Sequence, residues 1–141
     1  MSDSLQTLQR NVQQLLDHDP FSRWLGLEVT VHGPGTVTAA MNVRKEMLNG
    51  FNVCHGGITF SLADSVLAFA SNTYGKVAVS IEASIAYPNP VFEGDRLIAV
   101  SNEVSRTERI GIFTVTITKE NGTPVGDFRG IVYITKKEMM E

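Results

Sequence analysis

Apolar residues recur along this chain at two different periods, and the switches between them mark out the elements. From Ser4 to Asp17, Leu5, Leu8, Val12, Leu15 and Leu16 repeat at helical spacing against a polar face of Gln6, Gln9, Arg10 and Gln13. That pattern predicts a surface helix over about 4–17 packed on the body of the protein. Ser2, Asp3 and Ser4 are its candidate caps. Pro20 is expected to enforce its stop, with Phe21, Trp24 and Leu25 anchored by burial. The period then drops to two. Leu27, Val29 and Val31 alternate with Glu28, Thr30 and His32. After the turn His32-Gly33-Pro34-Gly35, Val37, Ala39, Met41 and Val43 alternate with Thr36, Thr38, Ala40 and Asn42. This predicts a hairpin with one face inward.

Past Gly75 the alternation returns. Val79, Ile81, Ala83, Ile85 and Tyr87 are expected on one face and Ser80, Glu82, Ser84 and Ala86 on the other, until Pro88 and Pro90 end the strand. Further strands are predicted over about 96–104, through Phe113, Val115 and Ile117, and over about 125–135, with Asn121-Gly122 as a hairpin turn. The charged tail from Lys136 to Glu141 is expected to fray.

Between the two sets of strands lies Met47 to Tyr74, whose helical part is predicted over about 56–74. It is apolar around most of its circumference, so it must be buried. At 100° per residue its few polar positions, Ser61, Asp64, Ser65, Ser71 and Asn72, share one arc of about 120°. The order is helix, two strands, long buried helix, four strands. A single buried helix and six antiparallel strands make an α+β protein only if the sheet curls around the helix. No linker or internal repeat interrupts residues 1–141, so one domain is expected.

Composition narrows the function classes. A net charge of −3 argues against a general nucleic-acid binder, which needs a basic face. Cys54, the sole cysteine, fits a reducing compartment. No basic residue precedes Arg10 and no apolar run approaches membrane-spanning length, so the cytoplasm is the expected location, without a membrane partner. His18, His32 and His55 lie far apart without companion ligands, so no metal site is expected. No Gly-rich phosphate loop is present.

Candidate chemistry concentrates on the central stretch. His55-Gly56-Gly57 stands where loop becomes helix, and first-turn amides there have no partner within the helix. With the helix dipole they suit a carbonyl oxygen becoming an oxyanion, and glycine lets a ligand approach closely. The same pair also serves a simple tight turn. Asp64 is a carboxylate in an apolar helix, which is costly unless it is paired, hydrogen-bonded or facing a cleft. It is either satisfied by Ser61, Ser65 or a strand hydroxyl, or a general base or nucleophile. Eight residues of helix put Gly56 and Asp64 about 12 Å apart, beyond the reach of one thioester group. If both act, they come from different chains, and the catalyst is an obligate homodimer with two shared sites. Asn49 could orient a water or carbonyl, or simply shape an Asn-Gly turn.

Taken together, Met47-Leu48-Asn49-Gly50, Cys54-His55-Gly56-Gly57 and Phe60-Ser61-Leu62-Ala63-Asp64 resemble the PaaI-type (phenylacetic-acid-degradation) branch of the hotdog-fold acyl-CoA thioesterases. The similarity in element order runs from about Phe21 to Thr135. It implies a long helix inside a curved antiparallel sheet of five to six strands, and two subunits sharing one continuous sheet, commonly paired again as a homotetramer. It implies Asp64 as catalytic base or nucleophile and the Gly56 amide of the other subunit polarising the thioester carbonyl. Asn49 would orient water or substrate, His55 would support the loop, and Ser80 would help hold the nucleophilic water. Gly57 and the basic residues Arg106, Arg109, Arg129 and Lys136 would meet the substrate or the coenzyme A phosphates. Some relatives carry a basic residue before the proline of the Tyr87-Pro88-Asn89-Pro90 segment, and this chain does not.

The expected activity is hydrolysis of a small or medium acyl-CoA, or an aryl-acetyl-CoA, to free acid and CoA. No cofactor is implied, since coenzyme A belongs to the substrate. Phe51, Phe60, Leu67 and Phe69 are candidates for the pocket wall. Two alternatives are a hotdog-fold enoyl or hydroxyacyl thioester hydratase, which pairs a His with an acid, and a non-catalytic acyl-CoA-binding protein. The latter kind carries an added DNA-binding segment for which this N-terminus is too short.

Overall fold

Helix α1 (Asp3–Asp17) forms over the leucine repeat, in a computed structural model that describes residues 3–139. The candidate cap Ser2 lies outside the described residues. Pro20 does more than stop α1. It begins a second helix, α2 (Pro20–Leu25), where a first-turn proline sacrifices no hydrogen bond. Asp19 caps that helix, its Oδ1 accepting from the Ser22 amide at 2.9 Å. Leu25 is fully buried, but Phe21 and Trp24 are about half exposed, 50% and 46%, contrary to the expectation of burial. A six-residue helix offers one inward face, and Ser22 and Leu25 occupy it. Phe21 and Trp24 instead stack on each other, and the Arg44 guanidinium sits 4.8 Å from the Trp24 ring centroid.

The six strands are β1 (Glu28–Gly33), β2 (Thr36–Asn42), β3 (Lys76–Ala86), β4 (Arg96–Arg106), β5 (Ile110–Lys119) and β6 (Pro124–Glu138). They form one antiparallel sheet in the order β1-β2-β4-β5-β6-β3. Lys136 to Glu138 belong to β6, and Glu138 pairs with Lys76 at the start of β3, so the expected fraying does not begin there. The long helix α3 (Gly56–Ser71) continues into a 3-10 turn, Asn72–Tyr74, so the α-helical part is three residues shorter than expected. Leu62, Ala63, Val66, Leu67, Phe69 and Ala70 are buried against the inner residues of the sheet, among them Met41, Leu97, Phe113, Val115 and Phe128. Gly130 of β6 makes room for this packing, because a Cβ there would stand 2.5 Å from Leu67.

Strand β3 departs from strict alternation. Its pairing with β6 slips between Ser80 and Glu82, leaving Ile81 as the extra residue of a β-bulge. Before the bulge, Ala78 and Ser80 pair with the buried Ile134 and Val132 and share their inner face. After it, Ala83 and Ile85 pair with Gly130 and Phe128. The single alternation expected from sequence therefore breaks at Ile81, with even residues inward before it and odd residues inward after it. Val79 and Ile81 are 48% and 58% exposed.

Ser71 and Asn72 leave the polar arc for a structural role. Both are buried, and the Asn72 amide donates to Ala68 O at 2.8 Å and Ala78 O at 3.2 Å while accepting from Ala78 N at 3.0 Å. This side chain welds the end of α3 to the start of β3. Asn72→Ala strands buried backbone groups of Ala78 and should lower unfolding free energy by about 1–3 kcal/mol, read by urea denaturation.

Candidate functional site

The start of α3 is built from local ties. His55 is its N-cap, and its Nδ1 accepts from the Gly57 amide at 2.8 Å, which places the ring proton on Nε2. Gly57 is thereby capped, so its amide is not offered to a ligand as expected, whereas the Gly56 amide has no partner among the described residues. The loop before it is equally ordered. Asn49 Oδ1 accepts from the amides of Phe51 (2.9 Å) and Val53 (3.4 Å), and the Asn49 amide donates to Val53 O at 2.8 Å. Asn49 is thus a turn-former whose oxygen is taken, and its Nδ2 is what remains for a water or carbonyl.

Tyr87, just beyond β3, reaches this helix start as well. Its hydroxyl donates to Gly56 O at 2.9 Å. A cleft of ≈ 380 Å³ borders Gly56, with Val53, Cys54, Thr59, Tyr87 and Val91 among its walls. Burial pushes the Cys54 thiol above its ordinary range, which keeps it protonated and unfit as a nucleophile.

Asp64 stands midway along α3, half-buried, and burial raises its carboxyl above the ordinary 3.8. Among the described residues it has no recorded hydrogen bond or ion pair. Neither serine neighbour satisfies it. Ser65 Oγ lies 2.8 Å from Ser22 Oγ, which lies 2.6 Å from Asp19 Oδ2. A carboxylate only accepts, so Ser22 donates to Asp19 and Ser65 donates to Ser22, away from Asp64. A costly group left without a partner on the polar stripe faces whatever fills that space.

The remaining residues are distributed elsewhere. Ser80 shares the inner face at the sheet edge through the bulge, but it sits toward the Asn72 end of α3 and makes no recorded hydrogen bond to Asp64. Arg106, Arg109 and Lys136 line one cleft of ≈ 270 Å³ with Lys76, which the sequence did not single out. Within it the Arg106 guanidinium lies 3.6 Å from the Tyr74 ring centroid, and Arg109 donates to Ile134 O at 2.7 Å. Lys76 pairs with Glu138. Arg129 does not join them: it pairs with Ser84 between buried Phe128 and Gly130, so it points to the outer face. Phe51 is 88% exposed, and Leu67 and Phe69 are buried in the core. Phe60 packs edge-on against Phe128.

Among the described residues, no group of three or more His, Cys, Asp or Glu side chains could hold a metal ion, and no helix is long and apolar enough to cross a membrane.

Comparison with known proteins decides the family. The thioesterase superfamily model matches residues 51–125. The chain is 32% identical to the acyl-coenzyme A thioesterase PaaI of Escherichia coli, over 86% of each chain. The chain belongs to the thioesterase superfamily. A putative esterase of Archaeoglobus fulgidus is 34% identical over 91% of this chain and 83% of its own. The solved E. coli PaaI protein, from the phenylacetic acid degradation operon, superposes with a TM-score of 0.92 at 29% identity, covering 96% of this chain and 98% of that one. A Streptococcus mutans protein solved with acetyl CoA superposes at 0.77 and 25% identity, covering 80% and 91%. This member of the thioesterase superfamily thus has the hotdog fold and the PaaI-type resemblance read from Asn49, His55-Gly56-Gly57 and Asp64.

Proposed function

We infer that the protein is an acyl-CoA thioesterase, hydrolysing small or medium acyl-CoA or aryl-acetyl-CoA to the free acid and CoA. The observation that carries this is Asp64, a half-buried carboxylate without a partner among the described residues, on the helix whose first amide, Gly56, is likewise without one among them. The named activity of E. coli PaaI and the acetyl CoA bound to the S. mutans relative support the substrate class. The phenylacetic acid operon of PaaI supports the aryl-acetyl variant.

In the reaction, Asp64 takes a proton from water as the water oxygen attacks the thioester carbon. The carbonyl oxygen gathers negative charge against the Gly56 amide, and collapse expels the CoA thiolate, which takes the proton back from Asp64. Alternatively Asp64 attacks the thioester carbon directly and expels the CoA thiolate, and water then cleaves the resulting anhydride, freeing the acid and the Asp64 carboxylate and giving its proton to the thiolate. Neither course draws on a metal or a separate cofactor. His55 commits Nδ1 to Gly57, which argues against the hydratase alternative, where a His must exchange protons with carbon.

An unbroken α3 keeps Gly56 and Asp64 of one chain about 12 Å apart, so each site draws on two chains. Strand β3 supports this assembly. It is an eleven-residue edge strand with Val79 and Ile81 exposed, the kind of edge that recruits another strand. Tyr87 touches Gly56 at one end of β3, and Lys76 lines the basic cleft at the other. Antiparallel β3–β3 pairing about a twofold axis therefore carries each Gly56 toward the partner's basic cleft, where Arg106, Arg109 and Lys136 would meet the CoA phosphates. Pairing of two such dimers through the outer sheet face, where Val100, Val104 and Tyr133 are exposed, would give a homotetramer.

The test is CoA release from a panel of acyl-CoAs. Wild type should hydrolyse at least one class, and the double variant Arg106→Ala/Lys136→Ala should raise KM about tenfold with kcat nearly unchanged, because phosphate contacts hold ground and transition state equally. Tight binding of several acyl-CoAs without hydrolysis would establish the non-catalytic alternative instead.

A further inference from the structure

The start of α3 has two glycines in succession, Gly56 and Gly57. Glycine leaves φ and ψ loosely constrained, so a Gly-Gly helix start has little intrinsic hold on its own first peptide planes. An amide meant to meet a developing oxyanion must nevertheless be held in place before the reaction begins. The peptide that carries the Gly56 amide is held from within α3, where His55 O accepts from the Ile58 amide at 2.9 Å, and the next peptide needs a hold of its own.

Gly56 C=O and Gly57 N–H belong to the same peptide unit. The carbonyl accepts from the Tyr87 hydroxyl at 2.9 Å, and the N–H donates to His55 Nδ1 at 2.8 Å. Both polar atoms of one peptide plane are therefore tied to side chains, one from the residue just before the helix and one from beyond the end of β3. The same two contacts explain both glycines. A Cβ on Gly56 would stand 3.1 Å from Tyr87 Cζ and Oη, and a Cβ on Gly57 would stand 2.9 Å from His55 Nδ1. A side chain at either position would push its tie away.

We propose that Tyr87 is a positioning residue of the thioesterase site, clamping the Gly56–Gly57 peptide together with His55 and so fixing the direction of the adjacent Gly56 amide. Burial raises the Tyr87 phenol above its ordinary 10.0, so the hydroxyl keeps its proton and remains a donor through the neutral range. The residue also directly follows β3, the edge strand on which assembly is proposed. The clamp thus ties the catalytic amide to the interface rather than to the helix alone.

The kinetic part of the test rests on the thioesterase assignment; the exchange part does not. Tyr87→Phe keeps the ring and removes only the hydroxyl. It should lower kcat about five- to tenfold with KM within twofold and the melting temperature close to wild type, the loss expected for one hydrogen bond felt at the reacting centre. His55→Asn should keep most of the activity, since Asn is also an N-cap acceptor, whereas His55→Ala should not. Because Tyr87 and His55 act on one peptide, Tyr87→Phe/His55→Ala should be little worse than the poorer single variant. Solvent exchange of the Gly57 amide, followed by NMR, should speed up several-fold in Tyr87→Phe while distant core amides are unchanged. Multiplicative losses in the double variant would overturn the shared clamp, and so would unchanged Gly57 exchange. If wild type hydrolyses no acyl-CoA, the thioesterase assignment fails, and Gly57 exchange still decides whether Tyr87 holds that peptide.

Discussion

Replacing Asp64 with Asn will lower kcat about 10²- to 10⁴-fold, the range associated with a positioned general base, while the protein stays folded and still binds acyl-CoA. The fold does not depend on this carboxylate. It accepts no hydrogen bond from the described residues, and its serine neighbour Ser65 is committed to Ser22. Burial raises its pKa above 3.8, so the folded state disfavours the charged form. For an acid with a raised folded pKa, that cost is present above the folded pKa and vanishes below the unfolded one. Asp64→Asn should therefore melt higher than wild type at neutral pH, with the gain shrinking as pH falls toward 3.8. The wild-type rate should rise with pH through a midpoint above 3.8, because the ionised form does the chemistry. An Asp64→Asn enzyme with wild-type kcat on the best substrate of the panel would remove this residue from the mechanism.

Val79→Lys/Ile81→Lys should dissociate the proposed dimer and cost about 10²- to 10³-fold in CoA release, the loss of an oxyanion donor, although neither Asp64 nor Gly56 is touched. Both positions are exposed on the β3 edge, and like charges meeting across a strand pair repel. Sedimentation and activity should fall together. A fully active monomer would refute the shared site. Complementation offers the opposite sign: Gly56→Val collides with Tyr87, and Asp64→Ala lacks the base, so each is inactive alone. Random reassembly of equal amounts makes half the dimers hybrid, each with one intact site, and should restore about a quarter of wild-type activity.

The element order, the burial of the central helix and the oddity of Asp64 were legible in the sequence because each depends on local periodicity. Leu5 to Leu16 pattern α1, Val37 to Val43 pattern β2, and the apolar run after Gly57 can belong only to a buried helix. Even the proposal that two chains share a site, if Gly56 and Asp64 both act, came from the fixed rise of a helix between them. The motif around Asn49, His55-Gly56-Gly57 and Asp64 carried the family resemblance for the same reason, since its spacing is a property of the chain.

Other features depended on which strands meet and at what register. The bulge at Ile81 arises only when β3 is laid against β6, and it puts Ser80 on the same inner face as Ala83 and Ile85, where strict alternation had placed it opposite them. Arg129 and Arg106 look equivalent in sequence, yet register puts one on the outer face and the other in a cleft. That β3 is an edge follows from the strand order, and Tyr87 meets Gly56 across 31 residues of sequence. The sequence alone determined the elements other than α2, the half-buried carboxylate and the distance from it to the helix start, because these are set by neighbours along the chain. Tertiary structure decided what holds the helix start, which edge is open and which cations gather, because long-range pairing brings those groups together.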